Sequence, residues 1–138
     1  MSMIEAVRNY FLTYTPMAES LIHVDALGST PTEYAIVPLP GERITATYLD
    51  GKTEREFPFL IQSIESTADE LERLENSGFY EALADWLEAQ SEAGNLPNLG
   101  SDKTAESINA VSWGFVYEQG ESGTGIYQIT CKLVYEQE

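Results

Sequence analysis

Apolar residues recur at helical spacing over residues 66–94, STADELERLENSGFYEALADWLEAQSEAG, where Leu71, Leu74, Phe79, Leu83, Trp86 and Leu87 fall on one stripe. Thr67 followed three residues later by Glu70 supplies a capping box at the start, and Gly94 with Pro97 supplies a stop. The spacing predicts the one substantial helix of the chain. Asn76-Ser77-Gly78 is expected to kink it or break it into a short and a long piece. Its polar face carries Glu72, Glu75, Glu81, Asp85, Glu88 and Glu92, with Arg73 as the single counter-charge.

Before that helix, Ser2 and Glu5 form a second capping box. Ile4, Val7, Tyr10 and Phe11 follow on one face, which predicts a short amphipathic helix ending before Pro16. Residues 21–24 (LIHV) read as a first strand, and residues 28–31 as a turn. Tyr34-Ala35-Ile36-Val37 favours β structure, but Pro38 and Pro40 lack the amide a ladder needs, so a short or edge strand is expected.

Residues 43–49 alternate, with Ile44, Ala46 and Tyr48 on one face, and Asp50-Gly51 supplies a tight turn. Phe57, Phe59 and Ile61 share a face of the returning strand, where Pro58 predicts a bulge or an edge. Beyond the long helix, residues 95–100 (NLPNLG) form a loop with Leu96 and Leu99 expected to be exposed. Residues 108–117 then return to strand, with Val111, Trp113, Phe115 and Tyr117 on one side and Ala110, Ser112 and Gly114 on the other. Residues 118–125 (EQGESGTG) are a hairpin turn, and residues 126–135 a strand with Tyr127, Ile129, Cys131, Leu133 and Tyr135 toward the core. The layout is α+β in one domain over residues 1–138. It comprises a mainly antiparallel sheet, an N-terminal and a central helix packed on one face, and a C-terminal β-hairpin.

Charge changes the picture more than any other bulk property. A formal net charge of −16 opposes attachment to phosphates and to anionic membranes, so specific nucleic-acid binding is not expected. At 43% hydrophobic residues the chain is not a disordered acidic tail, so the carboxylates must clothe a folded body. They serve either as a solvating surface or as one built for a partner or for repelling DNA. No apolar run is long enough to span a bilayer, and no signal peptide is evident, so synthesis in the cytoplasm is expected.

The search for chemistry yields no catalytic residue, cofactor site or metal site. Cys131 alternates with Ile129 and Leu133 toward the core, which hides a thiol rather than activating it. His23 is the one histidine and has no spaced ligand partners. The glycine-rich GESGTG lacks the lysine and the strand–loop–helix setting of a phosphate loop. No GxSxG, HExxH or CxxC pattern occurs, so the chain is not expected to be an enzyme.

Residues 3–12 (MIEAVRNYFL), 31–34 (PTEY), 74–87 (LENSGFYEALADWL), 93–99 (AGNLPNL) and 127–137 (YQITCKLVYEQ) resemble a family of small siphophage and prophage proteins of Gram-positive bacteria. These are tail terminator, tail-completion or head–tail joining proteins, also called minor capsid proteins. An acetyltransferase label attached to some such proteins finds no support here, because an HxxxD motif on His23 would need its acid where Leu27 stands.

The resemblance implies an α+β virion protein that assembles with itself into a ring, as a hexamer in such proteins. The ring would end tail-tube growth and meet tail-tube and head-connector proteins. It would assemble in the host cytoplasm and then lie at the head–tail junction. Copies at −16 each would repel one another unless their acidic faces point into the bore or outward, away from subunit contacts, and an acidic bore would let DNA slide. On that reading residues 27–32, Leu96, Leu99, Gln119 and Glu121 are candidate contact loops, and the acidic helix face is a candidate surface. The alternative is an acidic DNA-mimicking or regulatory protein-binding module, whose carboxylate rows occupy a basic partner.

Overall fold

A computed structural model describes residues 2–18, 22–24, 33–41, 43–66, 70–119 and 123–138. The elements run α1 (Met3–Phe11), α2 (Thr15–Ala18), β1 (Ile22–Val24), β2 (Glu33–Pro38), β3 (Ile44–Thr47), β4 (Thr53–Ser66), α3 (Glu70–Ala93), β5 (Lys103–Ala110), β6 (Phe115–Gln119) and β7 (Thr124–Gln137). The fold is α+β, with a single sheet in the order β1-β2-β4-β7-β5, β3 pairing beside β2 on β4 and β6 pairing on β7. Every pairing is antiparallel except β1 with β2.

The sheet is centred on β4 and β7, two strands of 14 residues in unbroken register from Thr53 opposite Gln137 to Ser66 opposite Thr124. Their alternation gives one face made of Phe59, Ile61, Ser63, Tyr127, Ile129, Cys131, Leu133 and Tyr135, all buried. Both long helices cover that face. Val7 and Phe11 of α1 and Tyr80, Leu83 and Leu87 of α3 complete the core. An aromatic cluster locks α1 and the turn after it to α3, with the Tyr10 and Trp86 rings 5.3 Å apart and Tyr14 and Trp86 4.6 Å apart. The opposite face is half-buried, and there Gln62 Nε2 donates to Gln128 Oε1 at 2.9 Å.

Local signals act as expected at the ends of the helices. Ser2 Oγ accepts the Glu5 amide at 3.2 Å. At the other end of α3, the Asn95 amide reaches Gln90 O at 2.9 Å and the Gly94 amide reaches Ser91 O at 3.3 Å, with Gly94 at φ +77°. That is a Schellman ending, which needs the left-handed conformation glycine adopts without strain. The Thr67 half of the predicted capping box lies outside the described residues.

Four expectations are corrected. First, α3 is one continuous helix of 24 residues, so Asn76-Ser77-Gly78 does not break it into two; packing of Phe79 and Tyr80 outweighs the weak local propensity. Second, Pro58 is neither a bulge nor on an edge strand. Its carbonyl accepts the Leu39 amide at 2.9 Å on the side away from β7, so its missing N–H lies on that same side, between the stretches paired by β3 and by β2. Third, β2 is short, at six residues, as its prolines imply, but it is not an edge strand where β1 covers Tyr34–Ile36. Fourth, residues 108–117 are not one strand: β5 ends at Ala110 and β6 begins at Phe115, and Val111, Trp113 and Phe115 stand exposed. The Tyr117 side chain lies outside the described residues.

Candidate docking groove

The free edge of β5 lies beside α3. Ser91 joins them: its hydroxyl donates to Ile108 O at 2.6 Å and accepts the Ile108 amide at 2.9 Å. One helix side chain thereby satisfies both backbone groups of an edge-strand residue, which removes that stretch from pairing with another strand. Further along, helix and strand separate, and a groove of about 530 Å³ opens between them. Glu81, Ala84, Asp85 and Glu88 form the helix wall; Asn109, Ala110, Val111, Ser112 and Trp113 form the strand wall.

The strand wall is set by an interrupted ladder. The Val111 amide still donates to Thr130 O at 2.8 Å, but the next bond comes from a side chain, with Ser112 Oγ accepting the Thr130 amide at 3.0 Å. Gly114 then passes so close to Tyr80 that no side chain fits between them. These two anchors leave Val111 and Trp113 outside, and Trp113 is 75% exposed. The helix wall follows from spacing. Residues 81, 85 and 88 share one side of α3, whose buried stripe is Tyr80, Leu83 and Leu87.

Chemically the groove combines three carboxylates with an indole and a valine, and no basic side chain lines it. Carboxylates accept hydrogen bonds from guanidinium or ammonium groups, and an aromatic face attracts the same cations. The groove holds no nucleophile paired with a base. Among the described residues no group of three or more His, Cys, Asp or Glu is placed to hold a metal ion. Burial pushes the Cys131 thiol up and out of reach of activation.

Of the predicted acidic surface, the structure brings Glu81, Asp85 and Glu88 to this groove. Glu75 and Glu92 are exposed elsewhere on α3, and the Glu72 side chain lies outside the described residues. The predicted contact loop at residues 95–100 is corrected in part. Leu99 is buried in the core and Leu96 is half-buried, because the loop folds back over α1 and is tied there by Tyr10 Oη donating to Asn95 O at 2.7 Å. Burial pushes the Tyr10 phenol up to about 12. Gln119 ends β6 with its side chain outside the described residues; Glu121 and residues 27–32 lie outside them altogether. Sequence reasoning missed Val111 and Trp113 as surface residues. The available signal was Ser112 and Gly114, which interrupt the β-favouring run on either side of Trp113.

A second apolar patch stands at the other edge of the sheet. The β3–β4 hairpin carries Ile44 and Tyr48 exposed and Leu49 fully exposed at its tip. The tip is ordered by its own bonds: Gly51 at φ +92°, the Lys52 amide on Asp50 Oδ1 at 3.1 Å, and Tyr48 Oη on Glu54 Oε2 at 3.1 Å.

No family model matches the chain, and no curated protein matches it. A solved structure whose name describes no function is similar over 100% of this chain and 96% of its own, with a TM-score of 0.50 at 13% identity. That likeness concerns the fold. Among the described residues no helix is long and apolar enough to cross a membrane.

Proposed function

We propose that this chain is a phage or prophage virion structural protein of the tail terminator kind. It acts by self-assembly into a ring that ends tail-tube growth and presents a docking surface to the head. Its work is association, with no bond-making step. The observation that carries the reading is the pair of exposed apolar patches at opposite edges of one sheet, Ile44, Tyr48 and Leu49 on one side and Val111, Trp113 and Phe115 on the other. Clustered large apolar side chains on a polar, highly charged surface mark places where another protein sits. The segment resemblances over residues 3–12, 74–87 and 127–137 supply the virion context.

A second reading, an acidic module that mimics DNA, is favoured by the exposed carboxylates along α3 at Glu75, Glu81, Asp85, Glu88 and Glu92. Light scattering after size exclusion, over a series of protein and salt concentrations and then with purified tail tubes added, separates the two. A concentration-dependent ring that caps tubes is the expected result. A monomer at every condition that ignores tubes and captures a basic nucleic-acid enzyme would establish the mimic instead.

A further inference from the structure

We infer that Ser91 is a lock on the free edge of β5: it holds the place a neighbouring strand would take, and its release lets β5 pair with the β5 of a second copy.

The chemistry of two hydrogen bonds carries this. In an antiparallel ladder a hydrogen-bonded residue pair exchanges both contacts, each N–H meeting the carbonyl opposite. The Ser91 hydroxyl does the same for Ile108 by itself, donating to its carbonyl at 2.6 Å and accepting its amide at 2.9 Å. One side chain thus imitates a strand residue. Both Ile108 groups point away from β7, the only strand that pairs with β5 among the described residues. Without the hydroxyl, the middle of this edge offers one unmet donor and one unmet acceptor, which is what another strand supplies.

The lock is lightly seated. Leu87 is the last buried side chain of α3, and from Glu88 to Ala93 every residue is exposed or half-buried. Ser91 is therefore a polar tie on a final turn that adds no fully buried side chain to the core, and helix ends of this kind fray at little cost. Lifting that turn uncovers Ile108 while Tyr80, Leu83 and Leu87 keep the rest of the helix in place.

A second copy fits the uncovered edge by symmetry. With Ile108 exchanging both bonds, two β5 strands meet antiparallel about a twofold axis at Ile108, an isologous contact. That register sets Ser107 opposite Asn109 and Glu106 opposite Ala110, so no two carboxylates face each other across the new ladder, in a chain whose net charge is −16. The lock works whether or not the chain forms rings, and it keeps this twofold pairing from competing with any other association.

The test is sedimentation velocity of the full chain over a concentration series, with thermal unfolding of each variant to confirm folding. Ser91→Ala is expected to dimerise at a concentration at least about tenfold below any at which wild type forms the same species. Ser91→Thr keeps the hydroxyl and should behave as wild type. Ala110 lies two residues on from Ile108, with its amide on the same outward edge, so Ala110→Pro added to Ser91→Ala should abolish the gain. In the wild-type chain, hydrogen exchange at the Ile108 amide should proceed through local opening, ahead of Ile129 and Leu133.

A folded Ser91→Ala chain that associates no more than wild type, a Ser91→Thr chain that dimerises as Ser91→Ala does, or a dimer that survives Ala110→Pro would each overturn the lock. So would a wild-type Ile108 amide that exchanges only with global unfolding, a result that stands even if the alanine variant does not fold.

Discussion

Gly114 and Tyr80 meet with no room for a side chain between them: a β-carbon on Gly114 would overlap Tyr80 Cβ and come within 2.7 Å of its Cγ. Tyr80 itself is held. It is buried, stacks on Tyr127 at 6.2 Å, and its hydroxyl lies 2.6 Å from Ser63 Oγ. The backbone after β5 is thus pressed onto α3, and that pressure point throws Trp113 outward into the groove wall. Gly114→Ala must displace the helix or the strand, and overpacking of this kind costs about 1–3 kcal/mol. Urea unfolding should show that loss, and Trp113 fluorescence should shift with the altered strand.

Ser91→Ala removes a hydroxyl that serves both polar groups of Ile108. Leaving a partly buried amide and carbonyl unpaired costs about 1–3 kcal/mol. Hydrogen exchange read residue by residue should speed up at the Ile108 amide while Ile129 and Leu133, in the central strand, remain protected.

Cys131 lies on β7 with Phe59 and Ala110 as its neighbours on either side, fully buried. Burial raises its thiol above the ordinary range. A thiol-reactive aromatic disulfide at mildly alkaline pH should therefore label the protein no faster than it unfolds, and at once in denaturant. Rapid labelling of the native chain would refute this placement.

Glu106 sits at the irregularity in β5, and its carboxyl is raised first by burial and then by Glu54 and Glu136. A carboxyl whose folded pKa exceeds its unfolded one holds its proton more tightly when folded, so its charge opposes folding at neutral pH. That penalty is relieved as pH falls through the raised value. Glu106→Gln should accordingly raise the melting temperature at pH 7, and the difference from wild type should vanish under acid conditions where both side chains are neutral.

Tyr10, pushed up to about 12, and Tyr34 and Tyr80, raised further by burial, act with the same sign at alkaline pH. Their neutral forms favour the folded state, so stability holds below the ordinary phenol value near 10 and falls as pH rises above it. Ultraviolet titration should find a set of phenols that ionises only together with unfolding.

The long elements were legible in the sequence because their patterns are strong. Tyr127 to Tyr135 alternates without interruption, and the α3 stripe with its Gly94 stop needs no tertiary information. Tyr80 was not placed in that stripe, although it is the largest fully buried side chain of α3. A helix stripe wider than the leucine spacing decides such a case, and its width depends on how the sheet curves beneath. Pro58 misled for a different reason. A proline forbids one hydrogen bond on one side, and only the sheet order shows that this side lies between two partner stretches. The groove was half legible: the carboxylates follow helical spacing, but its strand wall depends on Gly114 against Tyr80, a contact between residues far apart in the chain.

The pairing of β4 with β7 also governs when the protein can exist at all. Thr53 bonds to Gln137, 84 residues away, and Gln62 to Gln128, 66 residues away. Loops of that size are slow to close, and native structure dominated by them forms late in folding. During synthesis residues 53–66 must wait, with one long edge unpaired, until residues 124–137 have left the ribosome. Under the proposed self-assembly, association of completed chains is therefore separated in time from the growth of each chain, and a nascent copy with its sheet half made does not take part.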